Sequence, residues 1–420
     1  MPRIIADLEI HSRFSRAVSK DMNLANLERW GLLKGIDLIG TGDFTHPTWF
    51  SELKTELEED NSGLLKRKGS ASNIRFLLSA EISCIFGRNG TRRLHTLIYA
   101  PDLTTVEKVN ARLATIGKLK SDGRPIIGID IKELLKVILD VSPHCVMVPA
   151  HVWTPWFGMY GSNSGFDSLE ECFEELADQI PAVETGLSSD PPMNWRLSEL
   201  DTKTIVSYSD AHSPRNIGRE ATIFEFEKPT YANYVRALHI PNPKPSDKNR
   251  IVMTTEFFPE EGMYHWDGHR AHNLRLSPAE TRKAKGICPK CGGKLTVGVA
   301  HRVDKLADRP EGYAPKGRPP FIRLIQLSKI IGEALDLGHL TKTVEAEYHG
   351  IISNFGSEFN ILLNVPLEEL AKSVSPIIVE GIRRVREGKL HIEPGYDGTY
   401  GIVKIFTDAE RKKMGQSTLF

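Results

Sequence analysis

The chain has 420 residues and a mass of 47.0 kDa, which is enough for two or three domains around a sizeable buried core. Hydrophobic residues make up 40% of the chain and charged residues 26%, values that exclude a wholly disordered protein. Lysine plus arginine balances aspartate plus glutamate at 54 each, and no apolar run reaches the roughly eighteen residues that a membrane span requires. We therefore expect a soluble globular protein that does not interact with membranes.

The zero net charge hides an uneven distribution along the chain. Residues 1–243 carry 27 basic and 32 acidic side chains, residues 244–330 carry 17 and 9, and residues 331–420 carry 10 and 13. A basic middle segment between acidic segments is typical of a polyanion-binding module beside a carboxylate-rich site, although segments of this size also differ in charge by chance.

The N-terminal residues and the cysteines bear on the compartment. The first seven residues, MPRIIAD, contain no apolar signal-peptide region, so we expect a cytoplasmic location. The five cysteines are an odd set in a long chain, and only Cys288 and Cys291 share a short motif. This pattern favours a metal-binding pair over a disulfide framework.

From residue 1 to residue 227, short apolar runs alternate with amphipathic stretches. The predicted strands are Arg3–Leu8, Ile36–Gly40, Arg75–Ser79, Thr96–Tyr99, Cys145–Pro149, Ala182–Glu184 and Thr204–Tyr208. The predicted helices between them are Leu24–Leu33, Thr104–Ile116, Ile131–Leu139, Ser168–Asp178 and Asn194–Leu200. The alternation is typical of a parallel sheet covered on both faces, and about seven units favour a distorted or closed α/β barrel over a small doubly wound sheet.

Three further segments follow this predicted barrel domain. Residues 228–318 combine a proline-rich connection with a basic, Cys- and His-containing module that is too small to be held together by an apolar core alone. Residues 319–410 are predicted to be mainly helical, and residues 411–420 form a flexible tail. The predicted helices of the third segment are Ile322–Leu335, Leu340–Ile351, Leu367–Val374 and Ile377–Glu387.

Ionisable side chains are concentrated at the predicted strand ends, which meet at one mouth in a parallel α/β barrel. A single such residue is more often a helix cap or a satisfied core group, but nine or ten residues placed by one rule indicate a site. The residues are Glu9, His11, Asp43, His46, Glu81, His151, Glu184, Asp210 and His212, with His95 at the start of its strand rather than at the end.

This mixture of imidazoles and carboxylates indicates a metal centre. The set suits Zn, Mn or Fe, and a bridging carboxylate lets two cations sit roughly 3.5–4 Å apart to hold a phosphate and activate water. The chemistry that the residues predict is metal-assisted phosphoester hydrolysis. A water activated by the metals would be the nucleophile, so no serine or cysteine nucleophile is required.

The same residues resemble the PHP (polymerase and histidinol phosphatase) metallophosphoesterases. Within that superfamily the whole chain resembles the endonuclease Q family of DNA repair nucleases, through residues 40–47, the zinc segment and the C-terminal helices. The segments that match the superfamily are Asp7–Ser12, Gly42–Pro47, Ala80–Ile82, Leu94–Thr96, Pro149–His151 and Ser209–Ser213.

The resemblance implies a fold, a reaction and a mode of recognition. The implied fold is a distorted (β/α)7 barrel that binds two or three metals. The implied reaction is cleavage of the phosphodiester 5′ to an abasic site or to a deaminated base such as uracil, hypoxanthine or xanthine, with the damaged base flipped into a pocket.

Roles within the predicted centre follow from the residue types and the resemblance. We expect Asp210, Glu81 and His151 to be the catalytic residues and Glu81 to bridge the metals. Asp7 and Glu184 are as readily interpreted as supporting or structural groups. The predicted metal ligands are Glu9, His11, Asp43, His46, Glu81, His95, His151, Asp210 and His212.

Glu9 departs from the first motif of the family, which usually has a histidine at that position. A carboxylate is a harder ligand than an imidazole and favours Mg²⁺ or Mn²⁺ over Zn²⁺. The histidines still lead us to expect Zn²⁺ in the barrel, and Glu9 makes Mg²⁺ or Mn²⁺ an alternative for catalysis.

An aromatic, glycine- and serine-rich loop follows His151 at residues 152–166. Its aromatic side chains are either packed on the barrel or form a platform for a flipped base, and stacking is worth roughly 1–3 kcal/mol per base. The candidates are Trp153, Trp156, Phe157 and Tyr160, and spacing alone does not choose between Trp156 and Tyr160.

A second metal site is predicted in the basic module. The spacing H-x2-H-x15-C-x2-C is close to that of two-knuckle zinc sites and predicts a structural Zn²⁺ held by His269, His272, Cys288 and Cys291. The resemblance would place a cysteine at position 272, which makes His265 the reserve ligand. A redox Cys-x-x-Cys is the alternative, but the surrounding pattern is not thioredoxin-like.

Basic side chains surround this module, and they are suited to contact DNA phosphates without reading the sequence of bases. Arg270 and Arg275 are the two that we assign to DNA contact.

The C-terminal residues Gly415–Phe420 resemble a short sliding-clamp (PCNA) binding motif. Gln416 would enter a polar pocket of the clamp, and Leu419 and Phe420 an apolar groove. A frayed terminus is nearly as good an interpretation of a match this short.

Three hypotheses follow, of which the first is a monomeric, metal-dependent DNA repair endonuclease that binds damaged DNA. The second is a PHP phosphatase that acts on a small phosphate monoester, for which a basic zinc module has little use. The third is a DNA-binding scaffold that no longer cleaves, for which Glu9 is the support.

Overall fold

The structure is a computed structural model that describes residues 1–417, with side chains described through Met414. The strands β1 to β17 are, in chain order, Arg3–Asp7, Leu38–Gly40, Leu57–Glu59, Leu65–Arg67, Arg75–Gly87, Thr91–Ala100, Ile126–Ile127, Val146–Pro149, Ala182–Glu184, Thr204–Val206, Ala221–Glu225, Arg250–Glu256, Asp267–His269, Leu274–Leu276, Phe321–Arg323, His391–Glu393 and Ile402–Lys404. The helices α1 to α15 are Leu24–Lys34, Pro47–Glu56, Leu103–Leu113, Ile131–Val141, Leu169–Phe173, Pro191–Asn194, Tyr231–Leu238, Pro278–Lys283, Val299–Leu306, Leu327–Leu335, Lys342–Phe355, Glu358–Leu363, Leu367–Leu370, Pro376–Glu387 and Asp408–Ser417.

The main sheet has eleven strands, with the order β15-β12-β11-β1-β2-β5-β4-β3, and β6, β7 and β8 joined to it through β5 and β6. The pairs β1–β2 and β2–β5 are parallel, whereas β5–β6, β6–β8, β1–β11 and β11–β12 are antiparallel. A parallel pair, β9–β10, continues the arrangement, because β8 contacts β9 and Ser207 after β10 bonds to Thr222 on β11. The predicted mixed α/β architecture is therefore confirmed.

The expectation of a wholly parallel sheet is wrong, and a short turn is the reason. Residues 88–90 join β5 to β6, and a three-residue connection can only join antiparallel neighbours. Asn89 and Gly90 have φ values of 52° and 110°, the left-handed backbone that such tight turns need. β5 also continues to Gly87, so that Glu81 lies within the strand and not at its end.

The main sheet also extends past residue 227. Arg250–Glu256, predicted to be part of a connection, is strand β12 and pairs with β11. Phe321–Arg323, predicted to begin a helix, is strand β15 and pairs in parallel with β12, and the helix starts at Leu327. Strands from all three large predicted segments therefore contribute to one sheet.

Helices cover the sheet by burying one apolar face, as α4 illustrates. Asp130 caps its N-terminus by accepting from the backbone N–H of Lys132, and the helix buries Ile131, Leu134, Leu135 and Ile138. Burying an aliphatic side chain of this size stabilises a fold by roughly 1.5–3 kcal/mol. No helix among residues 1–417 is both long and apolar enough to cross a lipid bilayer.

The C-terminal helices pack on the sheet domain through a buried ion pair. Lys34 Nζ on α1 lies 2.8 Å from Glu358 Oε2 on α12, and both side chains are buried. Glu358 also accepts from the hydroxyl of Tyr348 and from the backbone N–H of Leu327. Since removing one partner of a buried pair costs about 3–5 kcal/mol, this contact fixes the helical segment against α1.

Candidate metal centre and adjoining cavity

Seven side chains of the predicted site come together at one end of the sheet. They form three overlapping groups in which the nitrogen or oxygen atoms able to bind a metal lie within 4.8 Å of one another. The groups are Glu9, Glu81 and Asp210; His11, Asp210 and His212; and Glu81, His95 and His151.

His95 reaches this cluster because its strand runs in the opposite direction to its neighbours. β6 is antiparallel to β8, and Thr96 pairs with Pro149, the last residue of β8. The middle of β6 therefore lies beside the end of β8, from which His151 follows. A residue within one strand and a residue just after the end of another thus meet at one site.

Glu81 is the centre of the cluster and contacts three imidazoles. Its Oε2 lies 3.0 Å from His11 Nε2, and its Oε1 lies 2.6 Å from His95 Nδ1 and 3.2 Å from His151 Nε2. Each oxygen of the carboxylate therefore faces a different set of imidazoles. This is the arrangement that a carboxylate shared by two cations requires.

Several oxygen and nitrogen atoms of the cluster that could bind a metal are buried without a hydrogen-bond partner among the described residues. They are both carboxylate oxygens of Glu9, Nε2 of His11 and Oδ1 of Asp210. His11 Nε2 and Asp210 Oδ1 are 3.1 Å apart, but their geometry is not that of a hydrogen bond. Buried polar atoms left in this state are costly unless a cation or water satisfies them, so the donor set fits a metal.

The electrostatics of the cluster also favour a cation. Burial raises the pKa of Glu9 well above its usual range, and the nearby carboxylates Glu184, Glu81 and Asp210 raise it further. Burial also raises the pKa of Glu81, but Arg124 and His95 outweigh it and hold that pKa well below the usual range. Repulsion between the carboxylates would be relieved by a bound cation.

Three residues at the site have left-handed backbone, which is strained for residues other than glycine. Asp43, His151 and Asp210 have φ values of 48°, 31° and 46°. Each comes directly after a strand or the turn that follows it. Such strain persists only where the surroundings enforce it, and it is found most often at functional sites.

Asp43 and His46 were predicted as ligands, but the structure places both outside the three groups. Asp43 Oδ1 lies 3.0 Å from His11 Nδ1, and its Oδ2 accepts from Ser12 N at 2.6 Å and Ser15 Oγ at 2.8 Å. With its oxygens already satisfied, Asp43 orients the His11 ring. His46 instead caps α2 by accepting from the backbone N–H of Trp49 at 3.4 Å.

Asp7 and Glu184 support the loops that carry the cluster. Asp7 accepts from the backbone N–H groups of Ser209 and Gly218, at 3.0 and 2.8 Å. Glu184 accepts from those of His151 and Gly186. Both carboxylates hold backbone in place, in agreement with the structural interpretation of these two residues.

Arg124 is a site residue that the sequence analysis missed. Its Nη1 lies 3.1 Å from Glu81 Oε2, and its side chain lines the cavity beside the cluster. The loop that carries Arg124 packs closely against Asp43, because a Cβ atom on Gly123 would lie only 2.3 Å from Asp43 Oδ2. Arg124 follows a turn with no hydrophobic periodicity, so no local pattern marked it.

A cavity of about 330 Å³ opens from the cluster. Its floor is formed by His95, His151, Asp210 and Arg124. Its walls come from the aromatic loop, from residues 259–265 and from a few separate side chains. They include Trp156, Phe157, His265, Ser188 and Tyr400. A site of this size accommodates a small ring system.

The structure separates the four aromatic candidates of the loop. Trp156 and Phe157 line the cavity, and Phe157 packs on His95 with ring centroids 4.4 Å apart. Trp153 and Tyr160 are fully buried, stack on each other and bond to Asn194 and Glu199. The last two therefore belong to the core, where no base could stack on them.

The predicted zinc ligands also lie together. Metal-binding atoms of His269, His272 and Cys291 are within 4.8 Å of one another. Cys288 and Cys291 are both free cysteines, and their side chains are hydrogen-bonded. Burial raises the pKa of Cys288, but the backbone N–H groups of Lys290 and Cys291 outweigh it and lower that pKa below its usual value. His265 lines the cavity instead of joining this group.

The remaining predicted residues lie at the surface or outside the described residues. Arg270 is exposed, whereas Arg275 is partly buried and donates to the Pro394 carbonyl at 3.1 Å. Leu419 and Phe420 of the clamp motif lie outside the described residues, as does the side chain of Gln416.

Comparison with known proteins extends over the whole chain. The crystal structure of the lesion-specific endonuclease PfuEndoQ from Pyrococcus furiosus matches with a TM-score of 0.84 and 30% identity, covering 96% of this chain and 95% of that one. A second structure, endonuclease Q in complex with a duplex substrate carrying an abasic lesion at the active site, matches with a TM-score of 0.84 and 29% identity, covering 97% and 98%.

One family model and two uncharacterized proteins also match this chain by sequence. The family described as MJ0043 C-terminal domain matches residues 326–389. The uncharacterized protein MJ0043 of Methanocaldococcus jannaschii is 34% identical over 251 residues, 59% of this chain but only 31% of that protein, so the match spans about a third of its length. The uncharacterized protein YqxK of Bacillus subtilis is 29% identical over 422 residues, 96% of this chain and 100% of that protein.

The fold and the site thus define a DNA-cleaving enzyme of the endonuclease class. The chain belongs to the endonuclease Q family, and the predicted resemblance is confirmed.

Proposed function

We propose that this protein is a metal-dependent DNA repair endonuclease. It hydrolyses the phosphodiester 5′ to an abasic site or to a deaminated base, namely uracil, hypoxanthine or xanthine. The observation that carries the proposal is the set of buried, unpartnered metal-binding atoms on Glu9, His11 and Asp210, together with a cavity of nucleobase size that Asp210 lines. The nearly complete match to endonuclease Q structures supports it.

The metal centre lies at the rim of a distorted (β/α)7 PHP barrel. The ring of strands from β11 through β1, β2, β5, β6, β8 and β9 to β10 supports this assignment. Bound divalent cations would supply Lewis-acid catalysis of phosphoester hydrolysis. The residues that would hold them are Glu9, His11, Glu81, His95, His151, Asp210 and His212. Zn²⁺ suits the imidazoles, and Glu9 makes Mn²⁺ or Mg²⁺ a second candidate.

The residues around the centre position it and bind the phosphate. Asp43 holds the Nδ1 side of His11 and so directs Nε2 into the cluster. Arg124 is the only arginine or lysine among the described residues that line the cavity, and its guanidinium would bind a phosphate oxygen.

The cavity above the centre would take the flipped base. Trp156 and Phe157 offer aromatic surfaces for stacking. Ser188 Oγ and the His265 ring nitrogens have no hydrogen-bond partner among the described residues, and burial lowers the pKa of His265 to about 4. A neutral imidazole and a free hydroxyl would bind the edge of a base.

The zinc module would hold DNA against this cavity. A structural Zn²⁺ bound by His269, His272, Cys288 and Cys291 would fix the module, and the Cys291 sulfur that accepts from Gly293 N at 3.4 Å supports this. Arg270, Arg275 and the helices of residues 319–410 would contact the duplex. The tail would bind a PCNA clamp through Gln416, Leu419 and Phe420, and the enzyme would act as a cytoplasmic monomer.

Cleavage of end-labelled duplexes tests the proposal. The duplexes carry one deoxyuridine, one hypoxanthine, one abasic site or no lesion, and each is incubated with Mg²⁺, with Mn²⁺ and with EDTA. We expect metal-dependent cleavage 5′ to the lesion alone, and an Asp210→Ala variant that still binds the same duplexes without cutting them.

The other outcomes point to the two alternative functions. Release of phosphate from small monoesters without cleavage of DNA would identify a phosphatase. Binding of lesion DNA without activity on either substrate would identify a scaffold.

A further inference from the structure

Tyr400 is an aromatic side chain that the proposed chemistry does not use. It is 71% exposed, the highest value among the large apolar side chains of the described residues. It lines the cavity above the metal cluster and also a neighbouring surface cleft of about 420 Å³. An exposed aromatic ring at the entrance of a binding site indicates a surface that a ligand covers.

The hairpin of β16 and β17, which carries Tyr400 in its connecting loop, is hydrogen-bonded to the zinc module. Gly395 N donates to the Glu260 carbonyl at 2.8 Å, and Gly401 N donates to the Glu261 carbonyl at 3.0 Å. The two backbones approach so closely that a Cβ atom on Gly401 would lie 1.9 Å from the Glu260 oxygen. The backbone on both sides of Tyr400 is therefore held by hydrogen bonds, so binding does not have to order it.

A cation lies against the turn that precedes Tyr400. Arg270 donates its backbone N–H to Asp397 Oδ2 at 2.6 Å, and a Cβ atom on Gly398 would lie 3.4 Å from Arg270 Nη1. The exposed arginine therefore contacts the same turn that leads to the exposed ring. Nucleic-acid interfaces pair these two groups, one for a base and the other for a phosphate.

The location of Tyr400 indicates which bases it would contact. The metal cluster forms the floor of the cavity and Tyr400 lies at its entrance, on the side of the module. A nucleotide that enters the cavity leaves a gap in the duplex, and unstacking and unpairing it costs a few kcal/mol. An apolar wedge in that gap restores part of the lost stacking.

We propose that Tyr400 inserts into the base stack at the position that the target nucleotide vacates. This inference rests on the proposed function, because it requires a base-paired duplex whose damaged nucleotide enters the cavity. Trp156, which also lines the cavity, would stack on the extruded base, whereas Tyr400 would stack on the bases that remain. The two aromatic residues therefore have separable roles.

Two duplexes that differ only in pairing test the inference. In one, deoxyuridine lies in a fully paired duplex, and in the other, it lies in a short unpaired bubble with the same flanking sequence. We expect Tyr400→Ala to lower kcat/KM on the paired duplex by about tenfold or more, and on the bubble by less than about twofold. Tyr400→Phe should retain activity on both, because the ring is kept.

Binding without catalysis provides an independent readout. In EDTA, we expect Tyr400→Ala to weaken binding to the paired lesion duplex about tenfold and to leave binding to the bubble unchanged. Leu32→Ala, which removes an exposed apolar side chain on α1, is the matched control and should change neither.

The outcomes separate this inference from the proposed function. If the wild-type enzyme cuts neither duplex, the proposed function fails. If it cuts both, and Tyr400→Ala reduces both equally or neither, the wedge is wrong even though the nuclease is right. Equal losses accompanied by a lower melting temperature would show that Tyr400 only stabilises the hairpin.

Discussion

The two candidate metal sites of this protein use similar residue types but are built in opposite ways. The donors of the barrel centre come from residues 9 to 212 and from five separate places along the sheet, and most are buried. Those of the zinc module lie within residues 269–291, where His269 and His272 are partly exposed and Cys291 is exposed. One site is assembled by a large fold, and the other by a short segment.

This difference indicates what each metal does for the protein. The barrel centre is held by a continuous apolar core and by hydrogen bonds such as those to Asp43, so its geometry exists without a cation. The module has few buried apolar side chains between residues 260 and 318, among them Leu295, Val299 and Val303. We infer that the barrel metal serves catalysis, whereas the module metal serves folding.

The largest effect is expected in the barrel, where removing one charge should abolish chemistry but leave the fold. Asp210→Asn keeps the shape of the side chain but removes the negative charge that faces His11, His212 and any cation. We expect cleavage of a deoxyuridine duplex to fall by more than about a hundredfold. Single-turnover cleavage assays measure this.

Its control is the thermal unfolding of the same variant in EDTA. A drop of no more than a few degrees in the melting temperature is expected. Burial raises the pKa of Asp210, but His11 and His212 outweigh it, lower that pKa and so favour the charged form of Asp210 in the folded protein. A drop of many degrees would show that the charges of the barrel site hold the fold, and the contrast with the module would disappear.

The next largest effect is expected in the module, where the same kind of change should act on folding. Cys291→Ala removes a ligand that Gly293 N and His269 both contact. We expect loss of the bound zinc and local unfolding of residues 260–300, seen by metal analysis and hydrogen exchange, while α4 and the barrel strands stay protected.

A barrel cysteine is the matched control for this prediction. Cys145→Ala should leave zinc content unchanged, since Cys145 lies outside both metal clusters. Protection of residues 260–300 in zinc-free Cys291→Ala would mean that the module folds without its metal.

How far sequence leads to structure also differs between local and distant relations. Each of the seven predicted barrel strands is present, because a short apolar run between turn residues is a local signal of a buried strand. The direction of β6 was not predicted, because it depends on the turn at residues 88–90. β12 was missed because it lies in Pro-rich surroundings, and β15, a three-residue edge strand, was missed because a helix-like run follows it.

The candidate site shows the same limit at the level of single residues. The rule that ionisable residues follow strands found six of the seven clustered donors, and His95 was included as its exception. It could not separate Asp43 from Asp210, since both follow strands and both have left-handed backbone. Only the hydroxyls of Ser12 and Ser15, brought near by folding, show that Asp43 is already satisfied.

A smaller effect in the barrel should separate ligands from the residues that orient them. Asp43→Asn keeps the side chain near His11 but replaces one acceptor oxygen with an amide nitrogen. We expect metal affinity to fall about 10–100-fold, as is usual when a partner of a ligating histidine is lost. Isothermal titration with Mn²⁺ measures this.

His46→Gln is the comparison variant, because His46 was predicted as a ligand and caps α2 in the structure. Its Mn²⁺ affinity should stay within about twofold of the wild-type value. A loss equal to that of Asp43→Asn would restore His46 to the metal site.

The smallest effect concerns the contact that joins the two regions. Arg302 on α9 is buried, donates to the carbonyls of Tyr160 and Phe166, and pairs with Asp167 at 2.7 Å. Its hydrogen bond lowers the pKa of Asp167 below the usual range. The pair thus connects the zinc module to the aromatic loop of the barrel.

Asp167→Asn should cost no more than about 1 kcal/mol at pH 7, because the side chain of Asp167 is 64% exposed and water screens the pair. A lowered folded-state pKa means that the stabilisation is present above the ordinary aspartate pKa and is lost as the pH falls below it. The difference in unfolding free energy between wild type and variant should therefore shrink as the pH falls below the ordinary aspartate pKa of about 3.9. Glu170→Gln, an exposed change on the neighbouring helix α5, should show no such dependence. A difference that grows on acidification would mean that Asp167 acts through its neutral form, and that the module is held to the barrel by the two carbonyl contacts of Arg302 alone.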